Sequence, residues 1–210
     1  SRRQRQMCIR DRNGHSCFTI EKDGFSIVFD PYGPNTVPGL APLSLTADMV
    51  LCSHEHSDHG YTDAVTLKHS GTKNPFSITK IDTWHDPEQG ALRGPNRIHI
   101  LESDGLKIAH MGDIGCPLIR EQKDLLKHLD AILIPVGGYY TIDAAQAKAV
   151  VDDLAPRVVI PMHYRSDHFG YPVIGRLEEF TGLCRNVVEY DSTTLVLTAE
   201  TRPQTAVLKL

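Results

Sequence analysis

From Gly14 onward the chain alternates short apolar runs with turn residues. His15–Glu21 and Phe25–Asp30 flank Lys22-Asp23-Gly24 and read as a hairpin. Asp30-Pro31-Tyr32-Gly33-Pro34 ends the second strand, residues 34–46 form a Pro-rich loop, and Ala47–Cys52 is an apolar run of strand length. Tyr61–His69 is expected to be a short helix, followed by a strand at Phe76–Trp84. Arg97–Glu102 and Leu106–Met111 pair through Ser103-Asp104-Gly105. The spacing then predicts an amphipathic helix over Pro117–Leu129 and a fully apolar strand over Ala131–Val136. A helix follows at Asp143–Leu154, with Asp143 and Gln146 as its capping box. A strand at Arg157–Pro161, a helix at Ile174–Leu183 and two late strands, Asn186–Tyr190 and Thr194–Thr198, complete the series. Strands come first as hairpins and then alternate with helices, which points to an α+β chain with sheets packed face to face and helices outside.

The stretch around which this pattern turns is Ser53-His54-Glu55-His56-Ser57-Asp58-His59-Gly60. Three histidines and an aspartate fall in the order His-x-His-x-Asp-His, directly after an apolar strand. Imidazole and carboxylate are the ligands a zinc-like ion takes. His54 and His56 are two apart and share one face of extended backbone. Asp58 and His59 sit where the chain turns and can reach a second ion. A histidine-rich surface loop is the plainer reading, but four ligand-type side chains at this spacing are hard to obtain by chance.

Other ligand-type residues stand where strands end: Thr83-Trp84-His85-Asp86, His110-Met111-Gly112-Asp113 and Ile160-Pro161-Met162-His163-Tyr164. A lone histidine at a strand end is more often structural. Together with the His54–His59 loop they make up the number of ligands a two-metal site needs, with Asp113 as the natural bridging carboxylate.

Composition narrows the setting. At 210 residues, 40% apolar and 23% charged, the chain suits one soluble domain. No apolar run nears the ~18 residues of a membrane span, and no secretory signal is read at the start. Five cysteines, widely spaced and without Cys-x-x-Cys, argue against a disulfide framework and for a reducing cytoplasm. Net charge is −4, but residues 1–12 hold five arginines and one aspartate, which leaves 17 basic and 25 acidic residues, or −8, for the remainder. An acidic body disfavours a nucleic-acid surface. Residues 1–12 show no clear period and resemble translated sequencing-adapter sequence. They are expected to form a loose tail outside a domain of residues 13–210.

The ligand order is similar to that of the metallo-β-lactamase superfamily. Finer features resemble its small bacterial branch related to ascorbate phosphate lactonase: Gly14-His15-Ser16, Asp30-Pro31, His85-Asp86 with Gly90 and Arg93-Gly94-Pro95-Asn96, Pro135-Val136-Gly137-Gly138 with Tyr140-Thr141-Ile142-Asp143, and Ile160-Pro161-Met162-His163-Tyr164. The resemblance implies a four-layer αβ/βα sandwich with the metals at one edge between the sheets. It implies a first metal site of His54, His56 and His85, a second of Asp58, His59 and His163, and Asp113 between them. Two divalent ions are implied, zinc first, with manganese or iron as alternatives. The activity implied is hydrolysis by a metal-bound hydroxide, with Asp58 as the catalytic group that orients the nucleophile and carries its proton. The electrophile would belong to a small-molecule ester, lactone, amide or phosphodiester. An iron-dependent oxidoreductase and a nuclease are the alternatives within the fold. His15, Asp30, Arg93, Asn96, His110, Tyr140 and His168 are candidates for supporting the ligands or touching substrate. His69, His99 and His128 are expected at the surface. Neither a nucleic-acid nor a membrane partner is expected, and oligomeric state is left open.

Overall fold

The computed structural model describes residues 6–210. A first sheet is built from β1 (Gln6–Gly14), β2 (Cys17–Lys22), β3 (Phe25–Phe29), β5 (Met49–Leu51) and β13 (Leu195–Thr198), in the order β13-β1-β2-β3-β5. Between β3 and the next long strand, β4 (Leu45–Ala47) and β6 (Val65–Leu67) form a small parallel ribbon. The second sheet contains β7 (Ser77–Trp84), β8 (Pro95–Ser103), β9 (Leu106–His110), β10 (Ala131–Pro135), β11 (Val158–Met162), β12 (Val187–Glu189) and β14 (Gln204–Val207). Its order is β12-β14-β11-β10-β9-β8-β7. Three helices, α1 (Arg120–Leu125), α2 (Ala144–Leu154) and α3 (Leu177–Thr181), lie in the second half.

The period-two rule explains how the layers stack. On β8, β9 and β10, Leu101, Ile108 and Leu133 face Phe18, Ile20, Ile27 and Phe29 of the first sheet. Their neighbours Ile100, Ala109, Ile132 and Ile134 point the other way, into a second core with Ala147 of α2 and Phe180 of α3. β10 and β11 are buried along both faces, which is why they read as unbroken apolar runs. On the first sheet's outer face, Cys17 and Val28 pack against Tyr32, Val37, Ala47 and Val65, so the Pro-rich loop and the ribbon cover it.

Topology also fixes where loops converge. β9, β10, β11 and β14 run parallel, and β7 returns to their direction through the antiparallel β8. The C-terminal ends of β7, β9 and β11 therefore open on one edge. β3 and β5 are parallel in the facing sheet.

Several sequence expectations are corrected. Tyr61–His69 is not a helix: a 3-10 turn at Thr62–Ala64 leads straight into β6, where Val65 and Thr66 pair with β4. β-branched side chains fit that pleated ribbon better than a helix. The helices expected over Pro117–Leu129 and Ile174–Leu183 shorten to α1 and α3. The capped helix α2 starts where its box predicts, with the Asp143 carboxylate accepting from Gln146 N at 2.8 Å. β14 was not anticipated.

The largest correction concerns the expected tail. Gln6–Arg12 belongs to β1, which lies between β13 and β2. Met7 and Ile9 are completely buried in the inter-sheet core. Arg12 is buried too, donating to Leu208 O at 3.0 Å with its guanidinium 4.8 Å over the Tyr164 ring. Counting arginines hid the alternation Met7–Ile9, which gives this run an apolar face. The rest of that expectation, residues 1–5, lies outside the described residues.

Candidate metal centre

The candidate ligands lie at or just beyond strand ends. β5 runs into the loop 53–60, whose His54, His56, Asp58 and His59 divide between two clusters. His54 and His56 meet His85, from the end of β7. Asp58 and His59 meet His163, from the end of β11, and His15, from the β1–β2 turn. Within each cluster the ligand atoms lie within 4.8 Å of one another. Asp113, after β9, stands between them. Its Oδ2 is 3.3 Å from His85 Nε2 and 4.0 Å from His54 Nε2 on one side, and 3.1 Å from both His59 Nε2 and His163 Nε2 on the other.

The loops hold these groups at a backbone cost. His15, Asp30 and His163 adopt φ of 52°, 44° and 53°, a left-handed conformation worth roughly 1–3 kcal/mol of strain per non-glycine residue. Gly112, beside Asp113, permits a close approach: a Cβ there would lie 2.3 Å from Asn96 Oδ1 and 2.5 Å from Ser53 Cβ.

A second layer of bonds fixes the rings. Asp30 is fully buried, and its Oδ2 accepts from His59 Nδ1 at 3.0 Å and from Ser53 Oγ at 2.6 Å. Ser53 Oγ in turn meets His54 Nδ1 at 2.8 Å, so one carboxylate orients a ligand in each cluster. His85 Nδ1 donates to Tyr140 O at 3.0 Å. With Nδ1 committed, Nε2 of His54, His59 and His85 is left to face Asp113, the arrangement expected of oriented metal ligands.

Asn96 is buried and is not part of the metal chamber's wall. Its amide donates to Met111 O at 3.0 Å and its Oδ1 accepts from Asp113 N at 2.8 Å, which positions the Asp113 loop.

The electrostatics follow from this geometry. Burial works to raise the Asp30 carboxyl, but the His59 hydrogen bond, the nearby imidazoles and Ser53 bring it down to about 2. Asp113 and Asp58 are held well below the usual carboxylate range, against burial, by His163 and His59 and by His59 and His15 respectively. Burial pushes His54 down to about 3 and His15 to about 4, with repulsion from neighbouring imidazoles adding to it. His59 goes up despite its burial, because Asp113 and Asp58 flank it.

The chamber over these ligands has a volume of about 260 Å³, with Arg93, Tyr140, Leu92 and Tyr171 as its other walls. Arg93 sits on a loop tied by Asp86, whose carboxylate accepts from the backbone N–H of Glu88, Gly90, Leu92 and Arg93. Tyr171 was not anticipated from the sequence. Its hydroxyl donates to Asp58 Oδ2 at 3.2 Å, beside His15 Nε2 at 3.3 Å from the same oxygen. The available signal was a tyrosine between Gly170 and Pro172, in the loop after a ligand strand.

Three other histidines lie outside the metal chamber. His110 spends both ring nitrogens on backbone, donating from Nε2 to Ser16 O at 2.9 Å and accepting at Nδ1 from Gly112 N at 3.2 Å. It stacks on Phe29 and lines no chamber. His99, expected at the surface, is buried beside it. His168 is exposed and lines a separate surface hollow, not the metal chamber.

The donor set fits bound metal. His54 Nε2, His59 Nε2 and Asp113 Oδ1 are buried atoms without a hydrogen-bond partner, and each belongs to the converging ligand set. Such orphaned atoms are costly unless something binds them.

Two face-to-face sheets with histidine and aspartate ligands on one edge define a metallo-β-lactamase-type centre. Residues 12–163 match the family described as Beta-lactamase superfamily domain, and the chain belongs to the metallo-β-lactamase superfamily of metal-dependent hydrolases. It is similar to the UPF0173 metal-dependent hydrolase of Thermococcus onnurineus, at 30% identity over 213 residues, spanning 84% of this chain and 92% of the relative. A relative of the same description from Carboxydothermus hydrogenoformans is 28% identical over 199 residues, covering 77% and 84%. Among solved structures, a candidate Zn-dependent hydrolase of the superfamily from Thermotoga maritima shares 30% identity with a TM-score of 0.74, over 96% of this chain and 98% of that one. Igni18, a metallo hydrolase from Ignicoccus hospitalis, shares the fold at 24% identity and a TM-score of 0.66, over 93% and 100%.

Proposed function

We propose that the chain holds two divalent ions, zinc foremost, and hydrolyses a small-molecule ester, lactone, amide or phosphodiester. The observation that carries this reading is the single Asp113 oxygen set between two ligand clusters. His54, His56 and His85 would hold one ion, and Asp58, His59 and His163 the other, with Asp113 shared. When bound, such a pair supplies Lewis-acid polarisation and a nucleophile available at neutral pH.

The chain's own residues do the rest. Asp58 is half-buried at the chamber floor, where His15 and Tyr171 fix one of its oxygens. Its low proton affinity keeps it ionised at neutral pH, so it accepts a hydrogen bond from the attacking water and orients it. Arg93 lies at the chamber wall with its guanidinium 5.7 Å over the Tyr140 ring. It offers a fixed positive charge to an anionic substrate group or to charge developing in the transition state. The five thiols are unpaired, which suits a reducing compartment such as the cytoplasm.

Elemental analysis combined with a hydrolase screen of zinc- and manganese-loaded protein tests the reading. Two metals per chain and metal-dependent turnover are expected. A single metal per chain at full turnover sinks the binuclear assignment.

A further inference from the structure

Beside the metal chamber lies a larger cavity of about 660 Å³, and Leu92, Arg93 and Tyr140 wall both. The metal chamber falls short of the ~300–1,000 Å³ that houses a whole small-molecule ligand, so it takes a reacting group and little more. The neighbouring cavity falls within that range. Much of its wall is apolar, with Leu118, Tyr139, Ile142 and Val150 prominent. Away from Arg93 its charged side chains are paired with each other, Lys123 with Asp153 at 2.7 Å, and the Gln146 amide oxygen accepts from Asp143 N at 2.9 Å. At its mouth Leu92 and Tyr139 stand 66% and 64% exposed, large apolar side chains with something to gain by being covered. On the other side of Arg93 a third cavity carries Glu55, Asp82 and Arg97 in its lining, a more polar setting than the larger cavity.

We infer that the larger cavity receives the apolar arm of the substrate. Resting on the hydrolase reading, this makes the substrate an amphiphile: an ester or lactone carbonyl in the metal chamber, joined to a medium-length acyl chain or aryl group that crosses the neck at Leu92 and Tyr140. The loop bearing Leu92 is held by the four backbone hydrogen bonds to Asp86, so the neck is preformed. In the reaction water adds at the carbonyl carbon, a new C–O bond forms and the bond to the leaving oxygen breaks. One water proton goes to the departing alkoxide and the acid product releases the other. The apolar arm stays in its cavity throughout.

The test uses zinc-loaded protein with 4-nitrophenyl acetate, butyrate, hexanoate and octanoate. At full burial each added methylene raises kcat/KM about fourfold. Ala149 is exposed on α2 and lines the cavity, so Ala149→Trp plugs it from the surface. The octanoate-to-acetate ratio then falls at least about tenfold. Tyr139→Ser, at the exposed mouth, lowers the same ratio without filling the cavity, and circular dichroism confirms that both variants fold. Saturable binding of the neutral fluorescent probe N-phenyl-1-naphthylamine, lost in Ala149→Trp, reads the cavity without any turnover. A flat chain-length profile, or a slope that survives the plug, overturns the inference while the hydrolase reading stands. Probe binding with no turnover of any ester or other electrophile overturns the hydrolase reading and leaves an apolar cavity. Absence of saturable probe binding overturns the cavity's role outright.

Discussion

Two groups of buried histidines sit within this sandwich, and they differ in how their ring nitrogens are used. Around Asp113, His54, His59 and His85 each commit Nδ1 to a holder (Ser53, Asp30 and the Tyr140 carbonyl) and keep Nε2 free toward a shared carboxylate. Beneath them, His99 and His110 pair across β8 and β9 against Phe29. His110 gives both nitrogens to backbone groups, and no carboxylate is paired with either ring among the described residues. Burial and residue type are therefore shared by both groups. One nitrogen held and the other aimed at an acid sets His54, His59 and His85 apart from His110, whose two nitrogens are both spent on backbone.

The largest expected effect comes from breaking the centre of the first group. Asp113→Asn keeps the shape but removes the shared charge, so metal content should fall from two ions per chain to one, and turnover by about 10²–10³-fold. Circular dichroism should be unchanged. Two metals retained with full turnover would falsify the bridging role.

Next is acid sensitivity of the second group, read on metal-free protein. Burial and the neighbouring His110 hold His99 down at about 4. The unfolded chain gains a proton below about 6.5 that the folded chain refuses until about 4, so this contribution is intact above 6.5 and lost as pH falls across that window. Its full extent is about 3 kcal/mol at roughly 1.4 kcal/mol per pH unit. Urea melts at pH 4.5 and 7 should show a larger gap for wild type than for His99→Phe. Equal gaps would mean that His99 does not titrate this way.

Asp30→Asn probes the holder. Because Asp30 orients His59 directly and His54 through Ser53, both metals should bind about 10–100-fold more weakly, measured by competition with a chelator. Weakening of one ion alone would show that the Ser53 link transmits nothing.

The smallest effect sharpens the contrast from the structural side. His110→Phe removes the donor to Ser16 O and should cost about 1 kcal/mol of stability with two metals still bound. Loss of a metal from this variant would erase the distinction between the two groups.

The sequence alone determined which residues are candidate ligands and much of the strand order. The loop 53–60 carries four ligand-type residues within six positions, and His85, Asp113 and His163 each follow an apolar strand, so spacing, residue type and the family resemblance together pointed to the seven side chains that the fold brings close to one another. The capped start of α2 was legible for the same reason: cap chemistry is local. Where the outcome depended on long-range partners, the sequence misled. Residues 1–12 looked like a loose tail because the apolar face of Gln6–Arg12, Met7 and Ile9, matters only once β13 and β2 flank it. Tyr61–His69 looked helical until β4 offered Val65 and Thr66 a strand to pair with. His99 and His110 could not be told from ligands or surface residues by type, because that depends on which groups each nitrogen meets. Tyr171 reaches Asp58 across 113 positions of chain, and the apolar cavity beside Arg93 is assembled from the loop 86–93, the segment 115–118 and α2. Ligand identity is written in short-range order, whereas hydrogen-bond partners and cavity shape arise only when distant strand ends are brought to one edge.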